Sequence, residues 1–77
     1  MNKQRRKAIE KISDKLEELQ AELQMLKDEE EEAYDNLPES LQDGEKGEAM
    51  QEAIEYLDNA DSFIEDAKDA LNDAVCL

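Results

Sequence analysis

A chain of 77 residues forms at most one domain, and so short a domain usually needs a metal, disulfide bonds or a partner chain to complete its core. The sequence has no His and a single Cys, Cys76, which excludes zinc clusters, haem attachment and an internal disulfide framework. The 23 Asp and Glu residues outnumber nine Lys and Arg residues, and the net charge of −14 disfavours direct binding to nucleic acid or an anionic membrane.

Association with another chain is therefore the expected route to a core, and we predict no cofactor and no metal. Basic residues open the sequence, but no apolar run follows them, so we predict neither a signal peptide nor a membrane span. We expect a cytoplasmic protein.

The first predicted element is a long amphipathic helix over residues 3–36. Asn2 suits the capping position, and neither Gly nor Pro interrupts the segment. Apolar residues recur at alternating steps of three and four, which keeps them on one face of a helix. They predict two rows of core positions: Ile9, Leu16, Leu23, Glu30 and Leu37 in one, and Ile12, Leu19, Leu26 and Ala33 in the other.

A bend is predicted over residues 37–43. Pro38 disfavours helix at the residue before it and suits the first turn of a new helix, so the segment 38–42 is expected to form a short helical turn. Asp43 and Gly44 mark a break, and Gly47 adds local freedom.

The second long helix is predicted over residues 44–75. Its apolar residues form two further rows, Met50, Leu57, Ile64 and Leu71 in one and Ala53, Ala60, Ala67 and Ala74 in the other. If the chain folds back at the bend, these rows meet those of the first helix in pairs such as Ile9 with Ala74 and Leu26 with Leu57. The predicted fold is therefore all-α, a single antiparallel helical hairpin over residues 1–77.

A stripe beside the second helix's rows predicts oligomerisation. Ala49, Tyr56, Phe63, Ala70 and Leu77 would face Ala8, Lys15, Glu22 and Glu29 of the first helix, a poor apolar match. Covering two aromatic side chains contributes several kcal/mol at roughly 25 cal/mol/Å². We predict a homodimer or higher homo-oligomer that forms a four-helix bundle, with an isolated hairpin as the alternative. The expected interface residues are Tyr56, Phe63, Met50, Leu57, Ile64 and Leu71.

A basic cluster opens the first helix. Arg5, Arg6 and Lys7, with Lys3 nearby, lie where the helix dipole disfavours cations. One interpretation pairs them with Asp66, Asp69 and Asp73 at the end of the second helix. The other is a site for a small phosphorylated ligand such as a nucleotide signal.

An acidic tip lies at the opposite end, formed by Glu29, Glu30, Glu31 and Glu32. It has three interpretations: a solvated end, a surface that imitates the phosphates of nucleic acid, and a weak cation site. No Asp-x-Asp-x-Asp-Gly loop supports calcium, so the cation site ranks last. No catalytic residues are predicted, because the carboxylates lie on solvated faces and no Ser or Cys has a basic neighbour at an obvious spacing.

The segment Tyr34-Asp35-Asn36-Leu37-Pro38-Glu39-Ser40-Leu41-Gln42, followed by Gly47-Glu48-Ala49-Met50, resembles small coiled-coil proteins encoded by phages and integrated elements of Gram-positive gut bacteria. The resemblance implies a bacterial host cytoplasm and an accessory protein that acts by binding, such as an inhibitor of host defence. Together with the residues, it predicts a non-enzymatic, self-associating interaction module with an unidentified protein partner. The alternatives are an oligomeric binder of a phosphorylated nucleotide and an acidic mimic of nucleic acid.

Overall fold

The computed structural model describes all 77 residues, of which 88% are helical and none form strands. Helix α1 spans Lys3–Asp35, the short helix α2 spans Glu39–Gln42, and helix α3 spans Glu45–Val75. The prediction of an all-helical chain is confirmed.

The chain reverses direction at the bend. One continuous helix of this length would extend about 115 Å at 1.5 Å per residue, whereas the molecule measures 58 × 15 × 12 Å. Side-chain bonds join α1 to α3 in antiparallel order: Gln20 contacts Glu65, whereas Lys27, further along α1, contacts Asp58. The two long helices therefore lie side by side and form a layer one helix thick.

The start of α1 follows the capping prediction. The Asn2 side chain accepts a hydrogen bond from the backbone N–H of Arg5 at 2.8 Å, which satisfies one of the free donors of the first turn. The helix ends at Asp35, one residue before the predicted end, and Asn36 occupies the cap position.

The side chain of Gln42 ties the bend to the end of α1. Its Nε2 donates to the backbone carbonyls of Tyr34 and Leu37, each at 3.1 Å. The Tyr34 carbonyl also accepts from the backbone N–H of Leu37 at 3.0 Å, so the Gln42 amide gives this carbonyl a second donor and reaches the Leu37 carbonyl as well. The contact fixes where the returning chain begins.

Replacing Gln42 with Ala should lower the free energy of unfolding by about 1 to 2 kcal/mol, because two half-buried carbonyl contacts are lost. Thermal unfolding followed by circular dichroism measures the effect. Gln4→Ala is the matched control, since Gln4 is exposed in α1. Equal stability of the two variants would contradict this role of Gln42.

Gly47 is the one buried residue of the molecule. The prediction that it provides conformational freedom is wrong, because it lies within α3 and the chain has no residue at positive φ. Glycine is needed at this position because there is no room for a side chain. A Cβ would overlap the carbonyl oxygen of Gln42 and lie 2.6 Å from the Cα of Gln42. The bend packs directly onto the first turn of α3.

The contact between α1 and α3 is shallow, because two helices alone cannot enclose a side chain. Leu16 and Leu23 of α1 and Leu57 and Ile64 of α3 are half-buried along the contact. The second predicted core row of α1 is corrected by the structure: Ile12, Leu19 and Leu26 are 49%, 53% and 56% exposed. The α1 positions that flank the contact on the other side are half-buried instead, namely Arg6, Ser13, Gln20, Lys27 and Tyr34.

Candidate self-association face

Polar side chains link the two helices along one face of the layer. Three cross-helix hydrogen bonds recur at intervals of seven residues, from Gln20 to Glu65 at 2.9 Å, from Lys27 to Asp58 at 2.8 Å and from Gln51 to Tyr34 at 2.8 Å. We call these six residues the polar ladder. It sets Lys27 against Asp58, whereas the predicted register would place Lys27 opposite Tyr56.

The apolar pattern of the sequence does not predict the polar ladder, because the ladder residues are polar and lie beside the apolar rows. The signal was nevertheless present. Gln20, Lys27 and Tyr34 are seven residues apart on α1, and Gln51, Asp58 and Glu65 are seven residues apart on α3. The long stems of Lys and Gln cover apolar surface while their polar ends reach across, so such residues can occupy flanking positions of a helix contact.

The ladder determines which residues share the opposite face. On α3, Asp58 and Glu65 follow the contact residues Leu57 and Ile64, whereas Tyr56 and Phe63 precede them. A step of one residue turns a helix by about 100°, so the aromatic pair points away from the ladder. On α1 the same reasoning places Ile12, Leu19 and Leu26 away from it.

The two helices thus build one apolar face together. It consists of Ile12, Leu19, Leu26, Tyr56 and Phe63, with the smaller Ala60 and Ala67 between them. Tyr56 is 65% exposed and Phe63 is 71% exposed, which are high values for aromatic side chains. We refer to these seven residues as the apolar face.

The structure divides the predicted interface residues into two groups. Tyr56 and Phe63 lie on the apolar face. The other four, Met50, Leu57, Ile64 and Leu71, are half-buried along the contact with α1. They therefore belong to the contact within the hairpin and not to the apolar face.

Two ionisable side chains of the polar ladder, Lys27 and Glu65, have shifted pKa values. The hydrogen bond to Asp58 raises the pKa of Lys27. The amide of Gln20, and then the charge of Lys68, lower the pKa of Glu65. Gln20 contacts both Glu65 and Lys68, because its Nε2 donates to Glu65 and its Oε1 accepts from Lys68 at 3.1 Å.

The lowered pKa of Glu65 sets the direction of its pH dependence. Its stabilising contribution is complete above the ordinary carboxyl value of 4.5 and is lost as the pH falls through the lower folded-state value. A carboxyl-detected NMR titration should show the pKa of Glu65 rising toward its ordinary value in Gln20→Leu. Gln24→Leu is the control, since Gln24 bonds only to Asp28. An unchanged pKa in Gln20→Leu would contradict this assignment.

The basic cluster does not form the pairs expected with Asp66, Asp69 and Asp73. The three ion pairs of the structure all belong to Lys27 and Lys68. Arg5 and Lys7 are exposed, and Arg6 is half-buried with its Nε lacking a hydrogen-bond partner. Binding of a phosphorylated ligand by Arg5, Arg6 and Lys7 stays a prediction.

The acidic tip lies beside further carboxylates of α3. Glu29 and Glu32 are exposed, and Glu30 and Glu31 are half-buried. An open groove beside the bend is lined by Glu31, Tyr34, Glu48, Gln51, Glu52, Ile54 and Glu55. Lys27 is the one cation that pairs with the tip, at 3.8 Å from Glu31. Like charges on neighbouring turns, at the helix end that disfavours anions, make this region repulsive.

Replacing Glu29, Glu30, Glu31 and Glu32 with Gln should stabilise the protein by about 1 to 2 kcal/mol at low salt, because repulsion at the tip is relieved. Unfolding measured at low and high salt tests this, and the gain should shrink as salt screens the wild-type charges. Gln replacements at the exposed Glu10, Glu17 and Glu18 of α1 are the control set. A destabilised variant would contradict the account of the tip.

No group of three or more His, Cys, Asp or Glu side chains is arranged to hold a metal ion. Neither long helix combines the length and apolar character needed to cross a membrane. No family profile, curated protein or solved structure matches this chain. The resemblance to phage-encoded coiled-coil proteins accordingly stays a prediction.

Proposed function

We propose that this chain is a non-enzymatic interaction module, in which two hairpins pair through their apolar faces to form a four-helix bundle. The observation that carries the proposal is the apolar face itself, which draws aliphatic side chains from α1 and aromatic side chains from α3. The polar ladder lies on the opposite face and leaves this one free.

The exposed area supports pairing. A compact monomer of 8.8 kDa is expected to expose about 4,800 Å², whereas this hairpin exposes 5933 Å². The excess of about 1,100 Å² is comparable to the roughly 800 Å² that each partner contributes to a standard protein interface. Covering the apolar face would therefore bring the chain to an ordinary surface area.

A second copy fits this face because the geometry is that of half a bundle. Two layers of two helices, stacked face to face, form a four-helix bundle with helix crossing angles near 20°. Ala60 and Ala67 leave recesses beside Phe63, and such recesses accept side chains from a facing helix.

Self-association leaves the carboxylate-rich surfaces outward. With a net charge of −14 per chain, the bundle would present a strongly acidic exterior. Such a surface favours a protein partner with a basic patch and disfavours nucleic acid. The resemblance to phage-encoded proteins adds a role as an accessory binder, including inhibition of a host defence protein.

Sedimentation equilibrium tests the self-association directly. We expect a mass of two chains of 8.8 kDa each across the micromolar range. A protein that stays monomeric at high micromolar concentration would overturn the proposed function.

A further inference from the structure

Charge is divided very unevenly along the length of the hairpin. Residues 22–63, which form the half that contains the bend, carry two basic and fifteen acidic side chains. The remaining residues form the open half, with seven basic and eight acidic side chains. Nearly all of the net charge of −14 thus lies in the bend half.

The apolar face extends across both halves. Ile12 lies toward the open end, Tyr56 and Leu26 lie toward the bend, and Leu19 and Phe63 lie between them. A second hairpin could therefore cover the face in either of two orientations with similar apolar burial. The difference between the orientations is electrostatic.

We propose that the second copy of this chain packs on the apolar face in the opposite orientation, so that each acidic bend half lies beside the open half of its partner. This inference rests on the proposed function. The parallel arrangement would align two bend halves, each with thirteen more acidic than basic residues, along their whole length. Like charges juxtaposed in this way disfavour an interface, and the antiparallel arrangement separates them.

The antiparallel arrangement also brings specific residues together. A two-fold axis across the middle of the apolar face, perpendicular to the helices, stacks α1 on α1 of the partner. An axis between Leu19 and Leu26 sets Leu19 against the partner's Leu26 and Ile12 against the partner's Ala33. Along the rim, Lys15 then faces the partner's Glu29. Neither of these two residues takes part in an ion pair within its own hairpin.

The native cysteine offers a direct test of orientation. Cys76 is exposed at the open end, so a spin label attached to it reports the separation of the two open ends in the dimer. Cys76 lies about 13 residues from the level of the proposed two-fold axis, so in dipolar spectroscopy we expect an interchain distance of about 40 Å at 1.5 Å per residue. A distance close to the 15 Å width of the molecule would overturn the antiparallel orientation while preserving the proposed self-association. Absence of any interchain coupling at concentrations where wild type should pair would overturn both.

A charge exchange tests the predicted rim contact. Lys15→Glu and Glu29→Lys should each weaken dimerisation about tenfold, since two rim pairs per dimer become repulsive. The double variant should restore wild-type affinity. The control exchange, Lys11→Glu with Glu32→Lys, changes exposed residues on the outer side of α1 and should show no such rescue. If the double variant at 15 and 29 is no better than the singles, the proposed antiparallel register is wrong.

Discussion

Replacing Phe63 with Ser is expected to weaken self-association about a thousandfold. Phe63 is 71% exposed in the hairpin and lies near the middle of the apolar face. Covering most of a phenyl side chain contributes about 2 kcal/mol at roughly 25 cal/mol/Å². Because each dimer contains two copies, the loss is about 4 kcal/mol, which corresponds to about three orders of magnitude in the dissociation constant.

Sedimentation equilibrium of Phe63→Ser measures this effect, with helix content checked by circular dichroism. The matched control is Met25→Ser, because Met25 is 64% exposed but lies on α1 outside the apolar face. The control should self-associate as wild type does. If both variants weaken self-association equally, or neither does, the apolar face is not the interface.

Replacing Gly47 with Ala is expected to destabilise the hairpin by up to about 2 kcal/mol, an effect opposite in sign to the one that helix propensity alone predicts. Within a helix, Ala is favoured over Gly by about 1 kcal/mol. Here the added Cβ would overlap the carbonyl oxygen of Gln42, which belongs to the backbone and cannot rotate away. The bend must shift, and overpacking of this kind costs about 1 to 3 kcal/mol, occasionally more.

Chemical denaturation of Gly47→Ala tests this account of the bend. The control is Gly44→Ala, whose added Cβ would lie 3.6 Å from the nearest atom, at ordinary contact distance. Gly44 is the N-cap of α3, so this control should change stability by less than about 1 kcal/mol. A stabilised Gly47→Ala would show that the bend does not pack on α3 as described.

Much of the fold could be predicted from local chemistry. Asn2 is a strong capping residue, Pro38 disfavours helix before it, and the apolar period runs on either side of the bend with Glu30 as its one interruption. Each of these features acts over a few residues, so the sequence alone reveals it. The role of Gly47 could not be predicted this way, because it depends on an approach of Gln42 that exists only once the chain has folded back.

The apolar pattern also does not predict which side of α1 packs on α3. The apolar arc of α1 is wider than the contact with one helix, so periodicity left the choice of flank open. The polar ladder decides it: Gln20 and Lys27 reach across to α3, and Leu19 and Leu26 remain on the free face. Because Ile12, Leu19 and Leu26 stay outside the contact with α3, they form part of the apolar face. Residues that the apolar pattern predicts in the hairpin core thus belong to the candidate interface.

The most direct test of the central claim is the distance between the two ends of one chain. A donor dye at position 3, introduced as Lys3→Cys, and an acceptor at Cys76 report this distance by energy transfer when doubly labelled protein is diluted into unlabelled protein. The hairpin places both ends at the same end of a molecule 15 Å wide, so transfer should be nearly complete. A single continuous helix would separate the two positions by about 110 Å and abolish transfer. That result would contradict the reversal of the chain, and with it the apolar face and both proposals built on it.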